Sequence, residues 1–352
     1  MESISLPDGF GISVFADFGG EGLSYPGPNN GPRLMAFRNG TLFVTMTKDG
    51  KVVALPDENK DSKADKVVVF ADKLRNPHGI ALNKDWVYIA EEDKVSRFKD
   101  ANFDLEPDSE PETMVYNIPT GGHFTRTLLI HNNSLYISIG SSCNVCFEET
   151  GMRGAIIQCD LEGNNCLLFA SGLRNAVGMA VNEKTQEIFA TDNGRDLLGD
   201  DIPPEEIDVL VKGKNYGWPL CYGNRIHDTD FDKNIYIRDP CADTEPPVVE
   251  MQAHSAPLGL TFYHADQFPE EYRGNLFVAF HGSWNRKEPT GYKVVRIIVD
   301  GNKTVVKDFA TGWLYDGKVR GRPVDVVVAP DGSLFVSDDN SGRIYRVYYE
   351  AN

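Results

Sequence analysis

The sequence lacks a helical signature. No stretch holds apolar residues at the i, i+3, i+4, i+7 spacing that buries one face of a helix. No apolar run approaches the roughly 18 residues of a membrane span, so a span in this chain is not expected. Positive charge is in short supply: 35 Lys and Arg stand against 52 Asp and Glu, a formal net charge of -17. That balance argues against nucleic acid or an anionic membrane as the main partner. The N-terminus, Met1-Glu-Ser-Ile-Ser5, lacks the basic start and apolar centre of a secretory signal. This leaves an intracellular chain or one whose signal has been removed. Disorder is not expected either, because 41 % hydrophobic residues are enough for a core.

Cysteine is scarce but even. The six fall into three close pairs: Cys143 and Cys146, Cys159 and Cys166, Cys221 and Cys241. Local pairing suits disulfides and an oxidising compartment, although six cysteines allow 15 connectivities. Cys143-Asn-Val-Cys146 could by itself be a redox or zinc half-site, but no second CxxC or CxxH accompanies it. Phe147 stands where a c-type haem site needs His.

What the chain has is a repeat. Leu42-Phe-Val44, Val87-Tyr-Ile89, Leu135-Tyr-Ile137, Ile188-Phe-Ala190, Leu276-Phe-Val278 and Leu334-Phe-Val336 each follow a turn, with the aromatic in register. Alternating strands such as Lys51–Leu55, Lys94–Phe98, Tyr292–Ile297 and Arg343–Val347 come after. The unit recurs about every 45 to 60 residues, with one interval near 90, which is the period of a β-propeller. Six units predict an all-β, six-bladed propeller of four-stranded antiparallel blades, as one domain over 1–352. The long interval is read as a loop insertion at about 220–250, stapled by Cys221 and Cys241. The opening strand Gly11–Ala16 is expected to pair with the last blade and close the ring, leaving no open edge.

The chemistry-bearing stretches sit between these strands. Thr120-Gly-Gly-His123-Phe-Thr-Arg126 puts a histidine just before a strand, where it could take a proton. Arg75-Asn76-Pro-His78-Gly79 and Arg174-Asn175-Ala-Val-Gly178 share one form and read as matching inner-strand entries of two blades. A bland reading keeps them as repeat elements, with Gly needed only for close packing. The loop Asp192–Asp201, backed by Glu205, Glu206 and Asp208, has oxygen donors suited to calcium, though not the spacing of an EF-hand. His281-Gly-Ser-Trp284-Asn-Arg286 and Arg320-Gly-Arg322 complete the set. Arg75, Arg126, Arg174, Arg286, Arg320 and Arg322 thus form a candidate cationic ring in an acidic protein. Such a ring calls for a small polyanion, a polycarboxylate or a phosphate.

These motifs, with Gly140-Ser-Ser-Cys143 and Asn215-Tyr-Gly-Trp-Pro219, are spread in order over most of the chain. Together they resemble the soluble pyrroloquinoline quinone (PQQ)-dependent glucose/sorbosone, aldose sugar and pyranose dehydrogenases. The resemblance implies a six-bladed propeller and a quinoprotein sugar dehydrogenase using PQQ, which carries three carboxylates, and Ca2+. By resemblance His123 is the general base for the sugar hydroxyl, with hydride passing from sugar C1 to PQQ C5. Arg174 and Asn175 hold the quinone oxygens and stabilise charge there. Gly194 and Arg195 offer backbone carbonyls to the calcium at PQQ. Asp200, Asp201 and Glu206 are candidates for a second calcium. Arg322, with Arg320 and Arg286, matches the carboxylate clamp; Asn76 and His78 lie near a polar channel position. Trp284 or Trp313 would give the sugar an apolar face. Three positions depart from the pattern: Ser141 replaces a carboxylate that orients the base, Gly122 replaces an acidic residue before it, and Arg286 stands in for a lysine. The family's home is periplasmic or secreted. The electron acceptor after PQQ, a quinone or a cytochrome, is not specified by the residues. Sequons at Asn39, Asn132 and Asn302 fall in expected inter-strand turns. Two other readings stand beside this one: a metal-dependent lactonase-type hydrolase, needing several Asp, Glu, Asn or His ligands in the channel, and a non-catalytic propeller that binds carbohydrate or protein.

Overall fold

The computed structural model describes residues 3–19, 31–300 and 303–350. Asn302, the third sequon, lies outside them; Asn39 and Asn132 are exposed in inter-strand turns. Six sheets follow one another along the chain. The first blade is Met35–Arg38, Thr41–Met46, Lys51–Leu55 and Val68–Ala71; the second is Gly79–Asn83, Trp86–Ala90, Val95–Lys99 and Glu112–Val115. The third is Arg126–His131, Ser134–Ile139, Ala155–Asp160 and Leu167–Ser171. The fourth is Ala176–Val181, Ile188–Asp192, Glu205–Leu210 and Val249–Met251. The fifth is Pro257–Phe262, Leu276–Phe280, Lys293–Asp300 and Lys303–Ala310. The sixth joins Pro323–Val328, Leu334–Asp338 and Arg343–Tyr349 to the N-terminal strand Phe10–Asp17.

That last pairing closes the ring: Phe10 sits opposite Tyr349 and Asp17 opposite Arg343. The third blade departs from four strands, because Lys214–Asn215 adds a short parallel fifth beside Leu167–Ser171. The long interval of the repeat lies inside blade four, between Leu210 and Val249. It carries the small hairpin Cys221–Tyr222/Ile226–His227 and the Cys221–Cys241 bond. Cys143–Cys146 and Cys159–Cys166 are also bonded, and no cysteine is free.

The core is distributed around the ring. Six apolar clusters fill the six blade-to-blade interfaces, and each takes one repeat aromatic. Phe43, Tyr88, Tyr136, Phe189, Phe277 and Phe335 are all buried, each in a different cluster. A buried aromatic of this kind contributes roughly 1.5–3 kcal/mol, so the repeated residue holds neighbouring blades together. Inner strands approach closely where glycine permits. A Cβ on Gly178 would overlap the Leu258 carbonyl, and one on Gly259 would overlap the Asp325 carboxylate. The glycine that ends each Arg-Asn motif therefore has the packing role of the bland reading.

Strands alternate in direction within each blade. The loops entering the inner strands and the loops between second and third strands therefore share one end of the propeller. Every candidate site residue stands in these loops or at the strand ends bordering them.

Candidate active site

His123 enters blade three from one side of this end. Its Nδ1 lies 3.1 Å from the Ser141 carbonyl and 3.0 Å from Ser141 Oγ. Ser141 Oγ donates its own proton to the Cys143 carbonyl at 2.7 Å, so both oxygens accept from Nδ1–H. The tautomer follows: Nδ1 carries the proton and Nε2 is the free acceptor. Burial, then the cationic field of Arg174, Arg153 and Arg126, pushes the imidazole pKa down to about 4 against the raising effect of Ser141. The ring is neutral at pH 7.

Arg174 and Asn175 stand beside it. A Cβ on Gly140 would lie 2.5 Å from Asn175 Oδ1 and 2.7 Å from His123 Cβ, so glycine is what lets the histidine and the amide pack this closely. Asp192 organises the Arg-Asn pair. Its two oxygens accept the backbone N–H of Arg174 at 2.8 Å and of Asn175 at 2.6 Å. The same device recurs: Glu91 takes the Arg75 N–H at 2.7 Å and Asp338 the Arg322 N–H at 2.8 Å. A carboxylate at the end of a blade's second strand thus caps the entry of its inner strand.

Arg174 is buried. Its Nε donates to the Asn144 carbonyl at 2.9 Å, one Nη to the Asn193 carbonyl at 3.1 Å, and the other to Asn144 Oδ1 at 2.9 Å and Asp196 at 2.8 Å. One N–H remains. Asn175 Oδ1 accepts from Thr125 Oγ1 at 2.5 Å, leaving its amide nitrogen as a donor. Arg322 is held from behind by the His281 and Gly282 carbonyls, at 3.1 and 2.6 Å. Arg320 is exposed, and its side chain has no partner among the described residues. Among the described residues no hydrogen bond reaches the Gly194 or Arg195 carbonyl.

The cationic ring is smaller than the motif reading implies. Arg126 is fully buried and donates to the Glu92, His123, Thr125 and Pro119 carbonyls. It is an internal strut of the loop entering blade three, and Arg153 shares the Pro119 carbonyl with it and takes the Thr120 carbonyl. Arg75 is 54 % exposed and paired with Asp93 and Glu92, and Asn76 donates to Glu92 at 2.8 Å. Blade two has carboxylates where blade four has Asn193 and Gly194, so its Arg-Asn copy folds back on its own loop. Arg286 donates to the Asp200 carbonyl at 2.6 Å and to Asp201 at 2.8 Å. It latches the 193–201 loop to blade five.

The acidic residues also regroup. Asp200 and Asp201 are exposed and do not join Glu206. Glu206 meets Asp192 and Asp208 instead, three buried carboxylates with ligand oxygens within 4.8 Å of one another. Burial, reinforced by mutual repulsion, raises Glu206 to about 8 and Asp208 well above its usual range; burial alone lifts Asp192, to about 7, against the lowering effect of its hydrogen bonds and Arg174. Both Asp208 oxygens lack a partner. Three aligned carboxylates at this density suit a divalent cation. Arg195 points elsewhere, bonding Asp228 at 2.6 Å.

His78 is fully buried against Phe124, ring centroids 5.7 Å apart, and neither of its nitrogens has a partner. Trp284 is 70 % exposed at the rim, whereas Trp313 is a core residue against Tyr345 and offers no face to a ligand. The motif reading missed Arg33. It bonds Asp339 at 2.5 Å, which also takes His281 Nε2 at 2.9 Å. The missed signal was positional: Gly31-Pro-Arg33 precedes the first inner strand as Arg174 and Arg322 precede theirs. Asn144 and Arg153 carried no signal, since their roles depend on loops meeting across blades.

The arrangement defines a six-bladed propeller with a candidate ligand site at one end, lined by a neutral histidine and guanidinium groups. This chain belongs to the TrAA12-like family, whose profile matches residues 29–350. It is 32 % identical over 347 residues to an uncharacterized protein of Borreliella burgdorferi, covering 91 % of this chain and 90 % of that one. It is 27 % identical over 268 residues to the aldose sugar dehydrogenase YliI of Escherichia coli, covering 69 % and 66 %. It is 26 % identical over 305 residues to the pyrroloquinoline quinone-dependent pyranose dehydrogenase of Coprinopsis cinerea, covering 67 % of this chain and 41 % of that enzyme's length. The fold is shared with the calcium structure of a Trichoderma reesei family AA12 carbohydrate-active enzyme, at TM-score 0.81, 22 % identity and 99 % and 97 % coverage. It is shared too with the PQQ domain of the Coprinopsis cinerea enzyme, at 0.78, 22 %, 98 % and 97 %.

Proposed function

We propose that this chain is a PQQ- and calcium-dependent sugar dehydrogenase acting on an aldose or a related sugar aldehyde in its hemiacetal form, in the periplasm or outside the cell. The observation that carries the reading is the tautomer of His123: Ser141 keeps the proton on Nδ1 and leaves Nε2 as a base beside the donors of Arg174 and Asn175. The residues present fit the cofactor. Arg320 and Arg322 offer cations for its carboxylates, Arg174 and Asn175 each keep a free N–H for a quinone oxygen, and the carbonyls of Gly194 and Arg195 are open to calcium. PQQ when bound supplies a two-electron acceptor.

The chain's own part is proton handling and placement. His123 Nε2 accepts the proton of the hydroxyl on the carbon being oxidised. A histidine at pKa about 4 is a weak base. An anion among Arg174 and its neighbours offsets their field and raises the base towards neutrality, so ligand binding itself prepares it. Arg174 and Asn175 place fixed donors where negative charge develops. Trp284 gives the sugar ring an exposed apolar face. The carboxylate cluster Asp192, Glu206 and Asp208 holds a second, structural calcium; all three are buried, and Asp192 also caps the Arg174 and Asn175 N–H groups.

The test adds PQQ and calcium to metal-stripped protein and follows dye reduction with a panel of aldoses and sorbosone-like aldehydes. Activity that needs both additions and vanishes in His123→Ala is expected. PQQ binding without sugar oxidation would leave the cofactor assignment and remove the substrate. Absence of PQQ binding would overturn the reading.

A further inference from the structure

The loop between the second and third strands of blade three, residues 140–154, has no regular secondary structure. Yet it holds three different parts of the site. Ser141 fixes the His123 tautomer, and its N–H donates to the Arg174 carbonyl at 2.9 Å. The Asn144 carbonyl accepts Arg174 Nε at 2.9 Å and Trp218 Nε1 at 3.3 Å. The Asn144 side chain does more. Its Oδ1 accepts Arg174 Nη2 at 2.9 Å and the Asp196 N–H at 2.7 Å, while its Nδ2 donates to the Asp196 carbonyl at 3.0 Å. One amide thus ties Arg174 to the loop that carries Gly194 and Arg195.

The end of this loop is tied to its start by Arg153, which donates to the Gly140 carbonyl at 3.1 Å; the turn around Asn144 is held by three further links. Ser141 Oγ bonds the Cys143 carbonyl, Ser142 N–H bonds Glu148 at 2.6 Å, and the Cys143–Cys146 disulfide closes the turn around Asn144. Both cysteines are partly exposed. The motif that could be read as a redox half-site is therefore a bonded pair placed around the residue that joins the two halves of the site. The bond Cys159–Cys166 belongs to the same blade but lies at the opposite end, in the turn after Ala155–Asp160.

We propose that Cys143–Cys146 is a redox-sensitive staple of the site, with Asn144 the positioning residue it holds. When the bond is formed, Ser141 and Asn144 stay in register with His123, Arg174 and Asp196. A dithiol breaks the S–S bond and gives two S–H groups, supplying two electrons and two protons and closing to its own disulfide. The loop is then free, His123 loses its fixed tautomer, and Arg174 loses its alignment with the 193–201 loop. The inference rests on the reading of His123 and Arg174 as site residues.

The experiment compares the full chain with Cys143→Ser/Cys146→Ser, Cys159→Ser/Cys166→Ser, Asn144→Ala and Asn144→Asp. The imidazole pKa of His123, faced by Arg174, Arg153 and Arg126, is read by NMR in protein without added cofactor. PQQ affinity in the presence of calcium is read by fluorescence, and Tm is measured for each. Loss of the first disulfide and Asn144→Ala are expected to move the His123 pKa by at least one unit and weaken PQQ binding at least tenfold. Cys159→Ser/Cys166→Ser should change Tm alone, and Asn144→Asp, which keeps both acceptor bonds, should restore part of the affinity. Unchanged His123 pKa and PQQ affinity in the first variant overturn the staple. Should that variant not fold, graded dithiol reduction of the wild-type chain, with alkylation mapping the first two thiols, decides the same point. A wild-type chain that fails to bind PQQ overturns the functional reading, while the His123 comparison still decides the staple.

Discussion

His123 and Ser141 are joined twice, ring nitrogen to carbonyl and ring nitrogen to hydroxyl, and the hydroxyl proton is committed to Cys143. The serine holds the ring through neutral acceptors and brings no charge to it. Ser141→Asp should therefore raise the His123 pKa from about 4 towards or above the ordinary histidine value, because an anion beside the ring favours the imidazolium. Ser141→Ala keeps the carbonyl bond and should reduce kcat by about tenfold or less, the size of one neutral hydrogen bond. NMR titration and the acid limb of kcat/KM check both. An unchanged pKa in Ser141→Asp would sink the orientation argument.

Acid should weaken the fold through the buried histidines. His78 is held well below its usual pKa by burial and then by Arg33, and His123 is also lowered. The unfolded chain binds these protons below pH of about 6.5 while the folded chain does not, so stability is lost as pH falls from there. Each such proton changes the slope by at most about 1.4 kcal/mol per pH unit. His78→Leu, which cannot titrate, should gain urea stability relative to wild type as pH drops from 7 to 5. A difference that stays constant with pH would exclude His78 as the cause.

Calcium should stabilise the chain through Asp192, Glu206 and Asp208, whose repulsion a divalent cation relieves. At one hundred times Kd a site bound only in the folded state adds about 2.7 kcal/mol. Tm should rise with calcium in wild type and rise less in Asp208→Asn, which removes an unpartnered buried carboxylate. Equal calcium shifts in the two proteins would place the ion elsewhere.

Trp284 is exposed at the rim and belongs to no core cluster. If it supplies the stacking face, Trp284→Ala should raise KM for the sugar roughly two- to tenfold, for a contact worth about 0.5–1.5 kcal/mol, and leave PQQ affinity and Tm unchanged. A fall in kcat at constant KM would point to a different role.

The blade count, the strand closing the ring and the three cysteine pairs are determined by local pattern. An aromatic such as Phe43 or Tyr136 repeats because every interface needs the same wedge, and a period is visible in one dimension. The Arg-Asn entries, His123 and the 193–201 loop are legible for a similar reason: they are short, contiguous and placed between strands. Charge partners are not local. Arg126 and Arg174 stand at comparable strand entries, yet Arg126 donates to backbone carbonyls alone while Arg174 also bonds the side chains of Asn144 and Asp196. That choice depends on whether Glu92 or Asn144 of an adjoining loop arrives beside it. Asp200 and Asp201 have the better spacing on paper, whereas Asp192, Glu206 and Asp208 meet because two antiparallel strands set them side by side. The sequence by itself determined the propeller and the end of it that carries chemistry. Only the tertiary structure decided which cations are paired, which carboxylates cluster and which nitrogen of His123 carries the proton, because each of these is set by a partner brought from another loop or strand.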